Sequence, residues 1–215
     1  MVRAVIFDMD GVLLDSEAAW DAAREAYTRE SGGRWNDSAQ RDMMGMSSLE
    51  WSRYMHDELG VPADPEQIST DVVERMLASY RERLPLIDGA VDAVKRLAER
   101  WPLGLASSAN RPLIDLALSE SGLGRYFQAT VSSEEVERGK PAPDVYLEAA
   151  RRLGMPGPDS AAVEDSHNGI LSAKSAGMRT IAIPNPAVPP GDDALAAADV
   201  VIGSIRELTP GVVEP

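Results

Sequence analysis

Short apolar segments alternate with helical patterns from residue 86 to the end of the chain. The apolar segments have the length of strands and lie at 103–107, 129–132, 160–164, 179–183 and 199–202. Helical patterns lie among them at 89–100, 111–121, 143–153 and 167–176. Such alternation is typical of parallel strands joined by right-handed crossovers. The sequence therefore predicts an α/β fold, a Rossmann-like parallel sheet with helices on both faces, and the apolar run at 3–8 needs the same sheet.

The segment from residue 15 to 85 contains only helical patterns, at 17–30, 38–44, 47–59 and 65–83. The first of these helices has an apolar stripe at helical spacing, formed by Ala19, Ala22, Ala23, Ala26 and Tyr27. Because the segment lies between the first strand and the rest of the sheet, we predict two domains. Residues 1–14 and 86–215 form an α/β catalytic core, and residues 15–85 form an inserted helical cap over the carboxyl edge of the sheet.

Charge and composition limit the partners of the chain. Its 215 residues carry a formal net charge of -14, which repels nucleic acid and anionic membranes. An anionic substrate must therefore be received by local cations or by a metal ion. The absence of cysteine excludes disulfides and thiol nucleophiles, and it fits a reducing compartment. We predict a cytoplasmic protein, a monomer or weak dimer, that acts on a small molecule and binds neither nucleic acid nor membrane.

Two aspartates directly follow the first predicted strand, in the run Ala4-Val5-Ile6-Phe7-Asp8-Met9-Asp10-Gly11. Successive strand residues point to opposite faces, so Asp8 and Asp10 face the same side, about 7 Å apart. Ligands of open α/β sheets bind beyond the carboxyl ends of the strands. Two carboxylates at that place favour a bound cation or a shared proton. The alternative is an ordinary Asp-Gly turn with solvated carboxylates.

Polar residues also follow the strand at 103–107 and occupy a later loop. Ser107, Ser108 and Asn110 could bind phosphate at the start of the next helix, although these residue types are equally good helix caps. Lys140 lies in the loop Gly139-Lys140-Pro141-Ala142-Pro143, in a chain with three lysines and 18 arginines. A lysine where arginine is the usual cation favours a specific role, and a solvated loop lysine is the alternative.

Glu164 and Asp165 end the strand at 160–164 and complete a set of polar groups at one sheet edge. The alternative is that their negative charges only stabilise the N-terminus of the helix that follows, through its dipole. Four strand ends or loops that offer Asp-Asp, Ser, Lys and Glu-Asp in this order indicate a common site. Oxygen ligands from Asp8, Asp165 and a backbone carbonyl near Asp10, with Glu164 as a further candidate, suit a Mg²⁺ ion that also meets a substrate phosphate.

These residues resemble the motifs of the haloacid dehalogenase-like hydrolases, in the group with a helical cap after the first strand. The resemblance covers nearly the whole chain. It rests on Asp8-Met9-Asp10-Gly11-Val12, on Ser107, on Lys140 within Lys-Pro-Ala-Pro-Asp, and on Glu164-Asp165-Ser166. The four motifs in this order are specific to the family. Within the family, the chain is similar to the group of β-phosphoglucomutase and phosphoglycolate phosphatase.

The resemblance implies a role for each motif residue. Asp8 is the nucleophile that forms an aspartyl-phosphate, and Asp10 is the general acid and then the general base. Ser107 and Lys140 hold the phosphoryl group. Mg²⁺ is bound by Asp8, the carbonyl of Asp10 and Asp165, and closure of the cap excludes water. The other residues predicted near the phosphate are Gly11, Ser108 and Asn110.

The predicted activity is hydrolysis of a small phosphomonoester, such as a sugar phosphate or a phosphoglycolate-like compound. The main alternative is a β-phosphoglucomutase-like mutase. The mutase pattern has a histidine where this chain has Trp20, and a lysine before the cap-loop glycine where it has Met44-Gly45. The loss of these polar groups favours water as the phosphoryl acceptor. A non-catalytic phosphate-binding protein is a third possibility, which the intact motifs disfavour.

The cap is expected to select the substrate. Trp20, Met44 and Gly45 are the cap residues predicted to contact it. The wider wall is predicted to be mixed apolar with one cation, and its members are Trp20, Met43, Met44, Met46, Trp51 and Arg53. Packing between the cap helices is an equally good explanation for each of these side chains.

Overall fold

The protein is described by a computed structural model that covers residues 1–43, 46–186 and 188–214. Its six-stranded sheet has the order β3-β2-β1-β4-β5-β6, and every neighbouring pair is parallel. The strands are β1 (Ala4–Phe7), β2 (Leu103–Ser107), β3 (Phe127–Ser132), β4 (Ser160–Glu164), β5 (Arg179–Ala182) and β6 (Val200–Val201). All four residues of the central β1 are buried, as expected of a strand with helices on both sides. The predicted Rossmann-like fold is confirmed.

The first eight helices follow the predicted order with small changes at their ends. They are α1 (Glu17–Glu30), α2 (Ala39–Met43), α3 (Ser48–Asp57), α4 (Pro65–Glu82), α5 (Ala90–Ala98), α6 (Arg111–Ser121), α7 (Asp144–Arg152) and α8 (His167–Ser175). Two short helices near the end of the chain, α9 (Asp192–Ala197) and α10 (Pro210–Val213), were not predicted. β3 begins two residues earlier than predicted, and the last strand is shorter than the predicted 199–202. Within the described residues, we find no helix that combines the length and the apolar character needed to cross a membrane.

The strand register brings the polar strand ends to one edge. Phe7 of β1 lies opposite Leu105 of β2 and Val163 of β4. Asp8, which follows Phe7, donates its backbone N–H to the carbonyl of Val163 at 2.9 Å. Asp8 and Glu164 are therefore neighbours at the carboxyl edge of the sheet, where the first and fourth strands end.

Helices α1 to α4 all lie between β1 and β2 in the chain. The chain enters and leaves this helical segment through two adjacent connections. Leu14 forms an antiparallel bridge with Leu86, and the N–H of Asp15 donates to the carbonyl of Pro85 at 2.8 Å. This arrangement agrees with the predicted boundaries at residues 15 and 85, while the division into two domains stays a prediction.

The buried face of α1 only partly follows the expected apolar stripe. Tyr27 is buried and Ala19 and Ala23 pack against the core, whereas Ala22 is exposed. Trp20 and Arg24, which are not in the stripe, are also buried, because large side chains gain more from burial than alanine does. The Trp20 ring lies 6.0 Å from the Trp51 ring of α3, and the Tyr27 hydroxyl donates to Asp71 of α4 at 2.9 Å. The inward face is therefore centred closer to Trp20 and Arg24 than the stripe predicts.

Candidate active site

Lys140 joins two acidic strand ends at the carboxyl edge of the sheet. Its Nζ lies 2.8 Å from Asp8 Oδ1 and 2.5 Å from Glu164 Oε1, and all three side chains are buried. Burial lowers the pKa of Lys140, but the two carboxylates more than reverse this effect and hold the pKa above its usual value. Lys140 is therefore a charged ammonium inside the protein rather than the solvated loop lysine of the alternative.

Asp8, Glu164 and Asp165 form a cluster of carboxylates. Each offers an oxygen, and these oxygens lie within 4.8 Å of one another. Burial raises the pKa of Asp8 to about 8 against the opposing effect of Lys140, and Glu164 and Asp10 add to the rise. Burial, together with the charges of Glu164 and Asp8, holds the pKa of Asp165 well above its usual range. Since one ammonium does not balance three buried carboxylates, this donor set of hard oxygens fits a metal cation.

The two oxygens of Glu164 are already used by hydrogen bonds. Oε1 accepts from Lys140 and from the Tyr146 hydroxyl at 2.8 Å. Oε2 accepts from the backbone N–H groups of Asp165 and Ser166, at 3.0 and 3.2 Å, and from the Ser166 hydroxyl at 3.1 Å. A carboxylate offers about four lone-pair sites, so these five donors occupy it. Glu164 is therefore better placed to orient Lys140 and the following turn than to bind a metal directly.

Gly11 packs against the carboxylate of Asp165. The Gly11 backbone has φ +76°, and a Cβ there would lie 1.9 Å from Asp165 Oδ2. Only glycine fits both the conformation and the space. Gly169 is constrained by space alone, since a Cβ there would lie 1.9 Å from Glu164 Oε1. The two glycines let the backbone approach the acidic cluster closely.

Asp10 lies beside the cluster and receives hydrogen bonds from the helical segment. Its Oδ1 accepts from the Ser16 hydroxyl, and also from Trp20 Nε1 and the Tyr80 hydroxyl at 3.4 Å each. Burial raises the pKa of Asp10, and the bonds from Ser16 and Trp20 act in the opposite direction. The indole N–H therefore gives Asp10 a polar contact, so the argument that Trp20 removes one from the second aspartate is wrong.

A cleft of about 570 Å³, which includes its solvent-open mouth, lies between this edge and the helical segment. The lining includes Asp8, Asp10, Trp20, Met43, Met46, Trp51, Ser108, Lys140 and Asp165, all singled out from the sequence. It also includes Glu17 and Arg24, which the sequence analysis missed. Glu17 lies three residues before Trp20 and Arg24 four residues after it, so all three share one face of the helix. Because Trp20 was predicted to contact the substrate, this spacing could have identified the other two.

The other predicted site residues lie outside the described lining of this cleft. Ser107 is fully buried, and its hydroxyl oxygen accepts the N–H of Ala109 at 3.0 Å. The Asn110 side chain accepts from the Ser48 hydroxyl of α3 at 2.8 Å and donates to Glu134 at 2.6 Å, so it links the helical segment to the sheet. Arg53 is exposed on α3. Met44 and Gly45, which the sequence predicts to contact the substrate, lie outside the described residues.

Comparisons with known proteins agree with this fold. The family profile of the haloacid dehalogenase-like hydrolases matches residues 2–177. Hexitol phosphatase B of Escherichia coli K12 is 33% identical over 212 residues, which are 97% of this chain and 95% of that protein. Fructose-1-phosphate phosphatase YqaB of the same organism is 30% identical over 180 residues, which are 82% of this chain and 94% of that protein.

Solved structures show the same architecture. CbbY from Rhodobacter sphaeroides, in complex with phosphate, superposes with a TM-score of 0.89 at 25% identity and full coverage of both chains. A protein described as a putative β-phosphoglucomutase from Thermotoga maritima has a TM-score of 0.74 at 28% identity, over 96% of each chain. The predicted enzyme class, a phosphoric monoester hydrolase, is confirmed by the named relatives. This chain belongs to the haloacid dehalogenase-like hydrolase family.

Proposed function

We propose that this protein is a Mg²⁺-dependent phosphatase that hydrolyses a small phosphomonoester through an aspartyl-phosphate on Asp8. The observation that supports this most is the contact of the buried Lys140 with Asp8 and Glu164, next to Asp165 and at the floor of a cleft. A nucleophilic carboxylate, a cation for the phosphoryl oxygens and candidate metal ligands are thus within one site.

In the first step, a carboxylate oxygen of Asp8 attacks phosphorus and the bond to the ester oxygen breaks. Lys140 stabilises the charge on the phosphoryl oxygens. Asp10 gives its proton to the leaving alcohol. In the second step, Asp10 accepts a proton from water, which attacks phosphorus and releases inorganic phosphate from Asp8.

The carboxylates fit a magnesium ion at this edge. We propose Asp8, Asp165 and the carbonyl of Asp10 as its ligands, while Glu164 orients Lys140 because its oxygens already accept five hydrogen bonds. When bound, the ion neutralises negative charge, so that an anionic ester can approach Asp8. Ser107 and Ser108 are proposed to hold the remaining phosphoryl oxygens, Ser108 from the wall of the cleft.

Removal of the metal is expected to silence the enzyme. Chelation with EDTA should reduce hydrolysis of p-nitrophenyl phosphate to background, because the buried carboxylates would then repel the phosphate dianion. Added Mg²⁺ should restore the rate. The measurement is release of p-nitrophenol, with a parallel sample that receives EDTA already saturated with Mg²⁺ as control. Full activity after exhaustive chelation would contradict the proposed metal dependence.

The mutase remains a second candidate, since structural neighbours include a protein described as a putative β-phosphoglucomutase and since Trp20 does donate to Asp10. We expect phosphatase activity, because Trp20 offers a single fixed donor where the mutase pattern has a histidine that can also accept or release a proton. With β-glucose 1-phosphate and a trace of the 1,6-bisphosphate, ³¹P NMR should show inorganic phosphate accumulating. Glucose 6-phosphate forming much faster than phosphate would establish a mutase instead.

We further propose that the helical segment 15–85 acts as a cap domain that closes over the cleft. The bond between Ser48 and Asn110 supports this role, because it joins the segment to the loop after β2. The working protein is proposed to be a cytoplasmic monomer or weak dimer. Light scattering after size exclusion tests the oligomeric state.

A further inference from the structure

Arg24 places an unpaired cation in the wall of the cleft. The residue is 7% exposed and lies on α1, one helical turn after Trp20. Its guanidinium carbon lies 4.7 Å from the centroid of the Trp20 ring and 5.1 Å from that of the Trp51 ring. The Nε atom is buried without a hydrogen-bond partner, and no ion pair of Arg24 is found among the described residues.

A buried arginine without an anion costs free energy unless something in the native complex compensates it. Burial lowers the pKa of Arg24 to about 10, with Glu17 and Asp10 acting in the opposite direction, so the group is still charged at neutral pH. Contact with two aromatic rings compensates part of the charge and fixes the plane of the guanidinium. The hydrogen-bond donors themselves remain to be satisfied, and the residue lines the cleft.

The charges along the cleft suggest what would satisfy these donors. Lys140 and Arg24 are the two basic side chains in its described lining. Lys140 lies at the sheet edge beside Asp8, where the proposed function puts the transferred phosphoryl group. Arg24 lies on the helical side of the same cleft, where the proposed function leaves the part of the substrate that is not transferred.

We propose that Arg24 is a specificity residue that binds a second anionic group, a carboxylate or a phosphate, on the alcohol part of the substrate. This inference rests on the proposed phosphatase function and narrows its substrate class. The planar fork of arginine presents paired N–H groups that match both kinds of anion. Phosphomonoesters with a neutral alcohol part would leave the buried guanidinium without a charged partner at salt-bridge distance, with only the longer-range charges of Glu17 and Asp10 near it, and should be poorer substrates.

Three esters of one carbon skeleton test the proposal. Glycerol 3-phosphate has a neutral end, 3-phosphoglycerate has a carboxylate there, and glycerol 1,3-bisphosphate has a phosphate. Wild type should show a kcat/KM roughly tenfold or more higher for one or both charged esters than for the neutral ester, as a charge-assisted contact provides. The preferred charged ester identifies which anion the site accepts.

Variants of Arg24 separate binding from packing. Arg24→Met keeps an apolar stem against the tryptophans and should bring the ratio of kcat/KM for the charged esters to kcat/KM for the neutral ester close to one. Arg24→Lys should recover part of that ratio. Arg81→Met is the matched control, because Arg81 is exposed on α4 and has no predicted place at the site, and it should leave the ratio unchanged. Calorimetric Kd values of the three esters for Asp8→Asn, with and without Arg24→Met, give a readout that does not depend on turnover.

The outcomes distinguish this inference from the proposed function. A wild type that hydrolyses the neutral ester as well as the charged ones would overturn the role of Arg24 alone. An equal loss for all three esters in both Arg24 variants would also overturn it, since it would show a purely structural residue. If no phosphomonoester is hydrolysed in Mg²⁺, the proposed function is wrong and the role of Arg24 falls with it.

Discussion

Asp8→Asn should lower kcat by roughly 10³ or more while the protein stays folded. Asparagine has nearly the shape of aspartate, but its amide is far too weak a nucleophile to attack phosphorus. Its carbonyl can still accept the hydrogen bond that Lys140 Nζ makes to Oδ1 at 2.8 Å, and Glu164 remains as the second partner of the ammonium. We therefore expect a thermal unfolding midpoint close to that of wild type.

The measurement combines steady-state rates with detection of the intermediate. Wild type quenched in acid during turnover should contain a phosphorylated peptide that includes Asp8, and Asp8→Asn should not. Asp115→Asn is the matched control, because the Asp115 side chain is 64% exposed on α6 and pairs only at the surface with Arg111. A kcat above a few per cent of wild type for Asp8→Asn would rule out covalent catalysis by this residue.

The sheet could be predicted from the sequence because parallel strands leave a strong local pattern. A strand buried on both faces must be apolar throughout, and β1 and β4 satisfy this up to the acidic residues that end them. In such sheets, ligands bind beyond the carboxyl ends of the strands, so the residues that end or follow each strand lie at the ligand-binding edge. Asp8 and Glu164 could therefore be assigned to one edge before their register was known.

The cleft wall on the helical segment could only partly be predicted. On α1, apolar periodicity indicated alanines and Tyr27, whereas the buried face also includes the charged Arg24. The contact of this cation with two indole rings requires α1 to pack against α3, and such a tertiary contact leaves no periodic pattern in the sequence. Asn110 illustrates the same limit. Its residue type suggested a phosphate contact, and its position makes it a bridge between Ser48 and Glu134.

Lys140→Met should impair both catalysis and stability. The phosphoryl group would lose its cation, so we expect kcat to fall by about 10² or more. The carboxylates of Asp8 and Glu164 would also lose their buried partner. Removal of one partner of a buried ion pair lowers the free energy of unfolding by about 3–5 kcal/mol. Chemical denaturation and steady-state kinetics of the same preparations measure the two effects.

Lys174→Met is the matched control for the ion pair itself. The Lys174 and Asp199 side chains also lie 2.8 Å apart but are 32% and 35% exposed, so their separation should cost at most about 1 kcal/mol and leave kcat unchanged. A loss of stability for Lys140→Met no larger than for Lys174→Met would contradict the assigned role of the buried pair.

Adding Glu164→Gln to Lys140→Met separates the two roles of the ammonium. The amide removes one uncompensated charge. Its oxygen can still accept from the backbone N–H groups of Asp165 and Ser166, while its NH2 can donate to the hydroxyl oxygen of Tyr146. Part of the lost unfolding free energy should therefore return, since contacting residues couple strongly in a double-mutant cycle. Catalysis should not return, because no cation would then face the phosphoryl oxygens. Recovery of kcat together with stability would show that Lys140 acts only by holding the acidic strand ends in place.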